Sequence, residues 1–186
     1  NKSAIAAFLF PNKNGSLAPA LQTLYPTSPT IGPIPSRQNG SFSHHVIPDP
    51  TGRYILVPDL GADLIRVFRF HETGFAPLQE LASLQMERGV GPRHAVFWDS
   101  GEGWVLLVNG ELSQRVYSYK VVYTEEGLSW EKVGDVVALG GKGEGLKANT
   151  APISGIVVSV STALFPFLFF SRPGWSFRNK EGDGDT

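Results

Sequence analysis

The chain has 186 residues, enough to bury one ordinary core, with 41% hydrophobic, 11% aromatic and 18% charged residues beside 21 Gly and 14 Pro, a profile that leans toward an all-β protein. The formal net charge of −1 excludes a nucleic-acid binder whose affinity rests on neutralising phosphates, so no nucleic-acid partner is expected. The absence of cysteine excludes disulfides, thiolate metal sites and a thiol nucleophile, and fits a reducing, cytoplasmic location.

From the N-terminus, 3–10 and 21–25 read as a hairpin-like pair of strands around Asn14-Gly15, a turn dipeptide. The run that opens the chain starts without Met and reads as mid-strand, so the chain is expected to be truncated on its N-terminal side. Residues 26–40 are rich in Pro, Ser and Thr and read as a linker. A first full unit follows: a short strand at 44–47, an Asp49-Pro50-Thr51-Gly52 turn in which Gly52 takes positive φ, then strands at 53–58, 62–70 and 76–81. A second full unit has strands near 94–98, 104–109, 115–122 and 132–139.

These two units repeat each other about fifty residues apart. His44 aligns with His94, Val46 with Val96, Asp49 with Asp99 and Asp59 with Asn109, which sets Arg93 against Ser43. Four short antiparallel strands per period, with no amphipathic helix between them, describe the blade of a β-propeller. A third unit starts near Ala151, with strands at 156–159 and 168–172, but its expected Asp-Gly turn is missing. The apolar stretch 155–170 contains Pro166 and three Ser or Thr residues. It is shorter than the ~20 residues of a spanning helix, so buried strands are expected and no membrane partner. The polar tail 179–186 reads as disordered.

The fold expected is all-β: a propeller of four-stranded antiparallel blades, about three of seven present, spanning 1–178 with blades near 1–30, 41–90 and 91–145 and a degraded one at 150–178. A closed ring needs at least four blades, so exposed blade edges predict self-association.

Three phrases carry a family resemblance: Asp49-Pro50-Thr51-Gly52-Arg53 running into Val57-Pro58-Asp59-Leu60-Gly61-Ala62-Asp63; Gly91-Pro92-Arg93-His94-Ala95-Val96-Phe97; and Asn109-Gly110-Glu111-Leu112-Ser113. In order and at blade spacing, they resemble the seven-bladed propeller lactonases, which include 6-phosphogluconolactonases and carboxy-cis,cis-muconate cyclases. The resemblance implies a lactonase or lactonising enzyme acting on a small anionic lactone without a cofactor. It also implies that His44, Arg93 and Glu111 are catalytic and that His45, His94 and Arg172 contact substrate. The register leaves open whether His44 or His45 faces the channel, and the pairing of His44 with His94 in the repeat favours His44.

Read for chemistry alone, a His is an acid or base near neutrality, an Arg is a planar fork for an anion, and a Glu either orients that Arg or serves as base. No metal is required by this set. The alternatives are structural: His94 packing between blades, and Arg93 paired with Glu87 or Glu111. Asp49 would open a turn, while Asp59 and Asp63 would cap loop N–H groups. The glycines at 140–143 lack the Lys-Ser/Thr ending and helix of a phosphate loop, and Ser154 and Ser159 lack a nucleophile elbow. The remaining reading is a non-catalytic propeller fragment or interaction module.

Overall fold

A computed structural model describes residues 3–9, 16, 18–27, 30–138, 155–159 and 167–171. Among them there is no helix, and none is therefore long and apolar enough to cross a membrane. Strands β1 (Ile5–Ala7) and β2 (Gln22–Leu24) pair antiparallel. The first full sheet has the order β3 (Ile47–Pro48), β4 (Tyr54–Asp59), β5 (Leu64–Phe70), β6 (Leu78–Glu80), and β7 (Leu84–Gln85) adds to β5. The second sheet runs β8 (Pro92–Asp99), β9 (Trp104–Gly110), β10 (Arg115–Tyr123), β11 (Leu128–Val137), all antiparallel neighbours. Strands β12 (Gly155–Ser159) and β13 (Phe167–Ser171) form a further antiparallel pair where the sequence offered an apolar run.

Alternation along β4 and β5 explains how the sheets stack, because successive side chains leave opposite faces. Leu56, Ile65 and Val67 face the second full sheet and join Ala95, Leu106, Val108, Tyr117, Tyr119 and Val121 in one core. Val57 and Phe68 point the other way and pack with Ile5 and Leu78. The middle sheet is therefore buried on both faces, as a blade between neighbours must be.

The aspartates hold this stack. Asp49 accepts from Thr51 N and Tyr54 N within its turn, and from the Tyr123 hydroxyl of the next sheet at 2.9 Å. Asp63 accepts from Gly89 N at 2.7 Å and Gly91 N at 2.8 Å. Asp59, fully buried, takes Phe42 N at 2.8 Å and the Arg66 guanidinium at 2.9 Å. All three are scaffold, and Gly52 has the expected positive φ of 71°.

Two expectations need correction. Segment 26–40 is more than a linker: its Gln38 is fully buried, and the Gln38 amide donates to Leu60 O at 2.9 Å and Asp63 Oδ1 at 2.8 Å. The repeat register also moves by one residue at the top of the blade. In each sheet a four-residue turn links the second and third strands, 60–63 and 111–114, and each ends on a positive-φ residue, Asp63 or Gln114. Leu60 N donates to Phe42 O, and Glu111 N to Gly91 O, both at 2.9 Å. Counted from those bonds, His44 is equivalent to Arg93 and His45 to His94. Glu111 stands where the first copy has Leu60. A constant offset of fifty misses this because the second copy is one residue longer in each strand at this end: Ser43–Asp59 to Ile47–Leu56 spans four and three steps, Pro92–Gly110 to Phe97–Leu106 five and four. The turn at Asn14-Gly15, the glycines 140–143, Ser154, Arg172 and the tail 179–186 lie outside the described residues.

Candidate functional site

The extra residue is what aims the site. In β8, Pro92 faces Gly110 and His94 faces Asn109, so Arg93 has no partner across the ladder. Such a bulge turns one side chain out of the strand's alternation. In the preceding sheet Ser43 faces Asp59 and Ile47 faces Leu56, four steps against three, so one of residues 44–46 is extra. His44 N donates to Pro58 O at 3.1 Å. Gly91 makes the Arg93 bulge possible. Its φ is +58°, and a Cβ there would lie 2.4 Å from Leu112 Cγ, in the turn that carries Glu111. Only glycine takes both constraints without strain.

Glu111 is the centre of the site. Its side chain is 2% exposed, and its two oxygens are divided between two guanidiniums: Oε1 to Arg37 Nη2 and Oε2 to Arg93 Nη1. Burial alone would raise its pKa, but the hydrogen bonds and charges of Arg93 and Arg37 outweigh burial and hold it below the usual carboxylate range. Glu111 is therefore a fixed anion with both oxygens engaged. That suits it to orienting arginines and makes it a poor base.

His44 lies at the exposed side of this group. Desolvation by the surrounding chain lowers its pKa, and the cations Arg93 and Arg37 lower it further, against opposing contributions from Glu111 and Asp59. The imidazole is neutral at pH 7 and able to accept a proton.

His45 and His94 face each other across the seam between sheets, ring centroids 4.9 Å apart. His94 Nδ1 is buried with no hydrogen-bond partner. Desolvation, then the charges of His45, Arg93 and His44, bring the His94 pKa down to about 4. Desolvation also lowers that of His45. A proton on His94 would meet both burial and the charge of Arg93.

The structure thus brings His44, Arg93 and Glu111 together and sets the His45–His94 pair beside them. Arg93 pairs with Glu111, while Glu87 pairs with Lys132 at 2.5 Å. Arg37 escaped the sequence reading, although it is the sole charged residue between Pro26 and Gly40. A lone charge in a polar connection was the available signal. Among the described residues no three His, Asp or Glu side chains converge as a metal site.

Comparison with known proteins identifies the family of the fold that carries these residues. The model of the family described as "Lactonase, 7-bladed beta-propeller" matches residues 1–162. An Arthroderma benhamiae protein named "Probable 6-phosphogluconolactonase" is 37% identical over 99 residues, covering 51% of this chain and 24% of that protein. A solved Lactobacillus plantarum protein superposes with TM-score 0.66 at 29% identity, covering 87% of this chain and 42% of the other. A periplasmic gluconolactonase from Pseudomonas aeruginosa gives TM-score 0.65 at 25% identity, with the same two coverages, 87% and 42%. The chain thus spans a quarter of the curated relative and about two-fifths of these solved structures.

Proposed function

The chain belongs to the seven-bladed β-propeller lactonase family, and on that premise we propose that it acts on a small anionic lactone, hydrolysing it or closing it. A phosphorylated or carboxylated sugar lactone fits best, in keeping with the gluconolactone names of its relatives. The observation that carries the reading is the buried Glu111 shared by exposed-edge arginines beside a neutral His44.

In hydrolysis, neutral His44 takes a proton from the attacking water as its oxygen bonds to the lactone carbonyl carbon. The tetrahedral oxyanion forms within reach of Arg93. The ring C–O bond then breaks, and the proton held on His44 passes to the leaving alkoxide, giving a hydroxy acid. Glu111 keeps Arg93 in place. In the closing direction the same steps run backward: His44 takes the proton of the substrate hydroxyl as that oxygen bonds to the carboxyl carbon, and returns it to the departing hydroxide, which leaves as water. His45 and His94, first expected on the substrate, are assigned to packing the seam, since each ring is occupied with the other. Arg172 has no place in this proposal.

The test is loss of an anionic sugar δ-lactone at neutral pH, measured above its spontaneous rate with the purified chain. Turnover that falls at least 100-fold in Arg93→Ala and in His44→Ala supports the assignment, whereas unchanged turnover in both removes it. A second reading is favoured by the share of its relatives that the chain spans, 24% to 42%. In it, these residues form a partial propeller that associates through sheet edges without catalysis. Gel filtration separates the two: a higher-order species lacking turnover selects the second reading, and a folded monomer with turnover rejects it.

A further inference from the structure

We propose that Arg37 is a substrate-binding residue: with Arg93 it forms a two-arginine clamp that selects lactones carrying an anionic group. This rests on the lactonase reading and adds to it a residue from outside the blades.

Arg37 and Arg93 share the Glu111 carboxylate, which is buried, while the two arginines are 31% and 29% exposed, so both guanidiniums reach solvent side by side. A guanidinium carries five donors, and a planar fork suits carboxylate and phosphate oxygens. One carboxylate fixing two forks holds their spacing before a ligand arrives, which saves the ordering cost of binding.

Arg37 belongs to a tight turn in which Arg37 N donates to Ile34 O at 2.9 Å and Gln38 N to the same oxygen at 2.7 Å. Gln38 bolts that turn to 60–63 through its amide, and its Oε1 accepts Ile34 N at 3.2 Å. Gly32 completes the seat. A Cβ there would fall 2.0 Å from Gln38 Cδ, so only glycine lets the amide in. A chain that needed only to cross between sheets would not require a fully buried glutamine. This one delivers Arg37 to the carboxylate of the following sheet.

Arg93 and Arg37 both lower the basicity of His44, an exposed residue. Its backbone N–H donates to Pro58 O, two residues before the 60–63 turn to which Gln38 fastens the Arg37 turn.

The experiment compares wild type, Arg37→Gln and Arg37→Lys. Circular dichroism checks folding, and calorimetric titration with inorganic phosphate measures anion binding. kcat/KM is measured for an anionic lactone and for a neutral lactone of the same ring. The expected result is phosphate binding weakened at least tenfold in Arg37→Gln and partly restored in Arg37→Lys. The anionic-to-neutral ratio of kcat/KM should fall by a similar factor, mostly through KM. A purely structural Arg37 would lower both substrates alike and leave the ratio unchanged, which overturns the proposal. So does phosphate binding that is absent in wild type or equal in all three proteins. Should Arg37→Gln not fold, Arg37→Lys decides: the clamp predicts at least a threefold loss of phosphate affinity, and no loss overturns it. Phosphate binding that depends on Arg37 without turnover of any lactone would leave the clamp standing and reject the lactonase reading.

Discussion

The sheet around β4 and the sheet around β9 share one plan, but the turn after the second strand opens with Leu60 in the first and Glu111 in the second. Both residues sit in a four-residue turn, both are about 2% exposed, and both donate a backbone N–H at 2.9 Å to the start of the first strand. Leucine there fills space. Glutamate there has to be neutralised, and the arginines that neutralise it come from the adjoining bulge and from the connection before the repeat. The same contrast recurs at equivalent bulge positions, which hold His44 in one sheet and Arg93 in the other. What the repeats share is scaffold, and chemistry enters where one copy departs from it.

Breaking the shared scaffold should have the largest effect. Arg66 is buried against Asp59, and Arg66→Ala leaves that carboxylate uncompensated. A loss of about 3–5 kcal/mol is expected in denaturant unfolding. Asp59→Asn on the Arg66→Ala background should recover a substantial part of it, since the second full sheet uses the neutral Asn109 to accept a first-strand N–H, from His94 at 2.6 Å.

Next comes conversion of one turn into the other. Glu111→Leu copies the first sheet and releases both arginines. Lactone turnover should drop by roughly 100-fold or more, a loss of about 3 kcal/mol in transition-state stabilisation. The arginines, being partly exposed, regain water, so the expected stability loss is only about 1–2 kcal/mol. Equal losses in stability and activity would mean that Glu111 is scaffold after all.

A smaller effect should appear on acidification. The His94 pKa is depressed from 6.5 to about 4, so the unfolded chain takes up the proton first. The stabilisation is complete above pH 6.5 and is lost as pH falls toward 4. Partial exposure reduces it to about 1–2 kcal/mol. His94→Gln should flatten that part of the stability–pH curve, and an unchanged slope in thermal melts from pH 7 to pH 4 would disprove the assignment.

Smallest is the bond between sheets at their far turns. Tyr123→Phe removes the 2.9 Å hydroxyl contact to Asp49 and should cost about 1 kcal/mol, a shift of a few degrees in Tm. No measurable shift would mean that Asp49 is held by its own turn alone.

Much of this was legible beforehand because strand alternation and turn chemistry are local. The Asp49–Gly52 turn, the alternation of β4 and β5 and the capping role of Asp59 and Asp63 follow from residues within a few positions. What was illegible depended on register and on long-range delivery. A bulge adds one residue without a composition signal, so aligning His44 with His94 was the natural error. Gln38 and Arg37 lie in a stretch with no periodicity, and the partners that matter, Leu60 and Glu111, are 22 and 74 residues away. Nothing local marks a glutamine as buried when its amide donates to a turn more than twenty residues later.

The register supplies the most direct test of the whole account, because it separates two adjacent histidines. His44 stands beside the Arg93–Glu111–Arg37 cluster, and His45 stands against His94. The measurement is kcat for an anionic sugar lactone in His44→Gln and His45→Gln, side by side at pH 7.5. The account predicts a loss of at least 100-fold for the first and less than about threefold for the second. Equal losses, or the larger loss in His45→Gln, would contradict it.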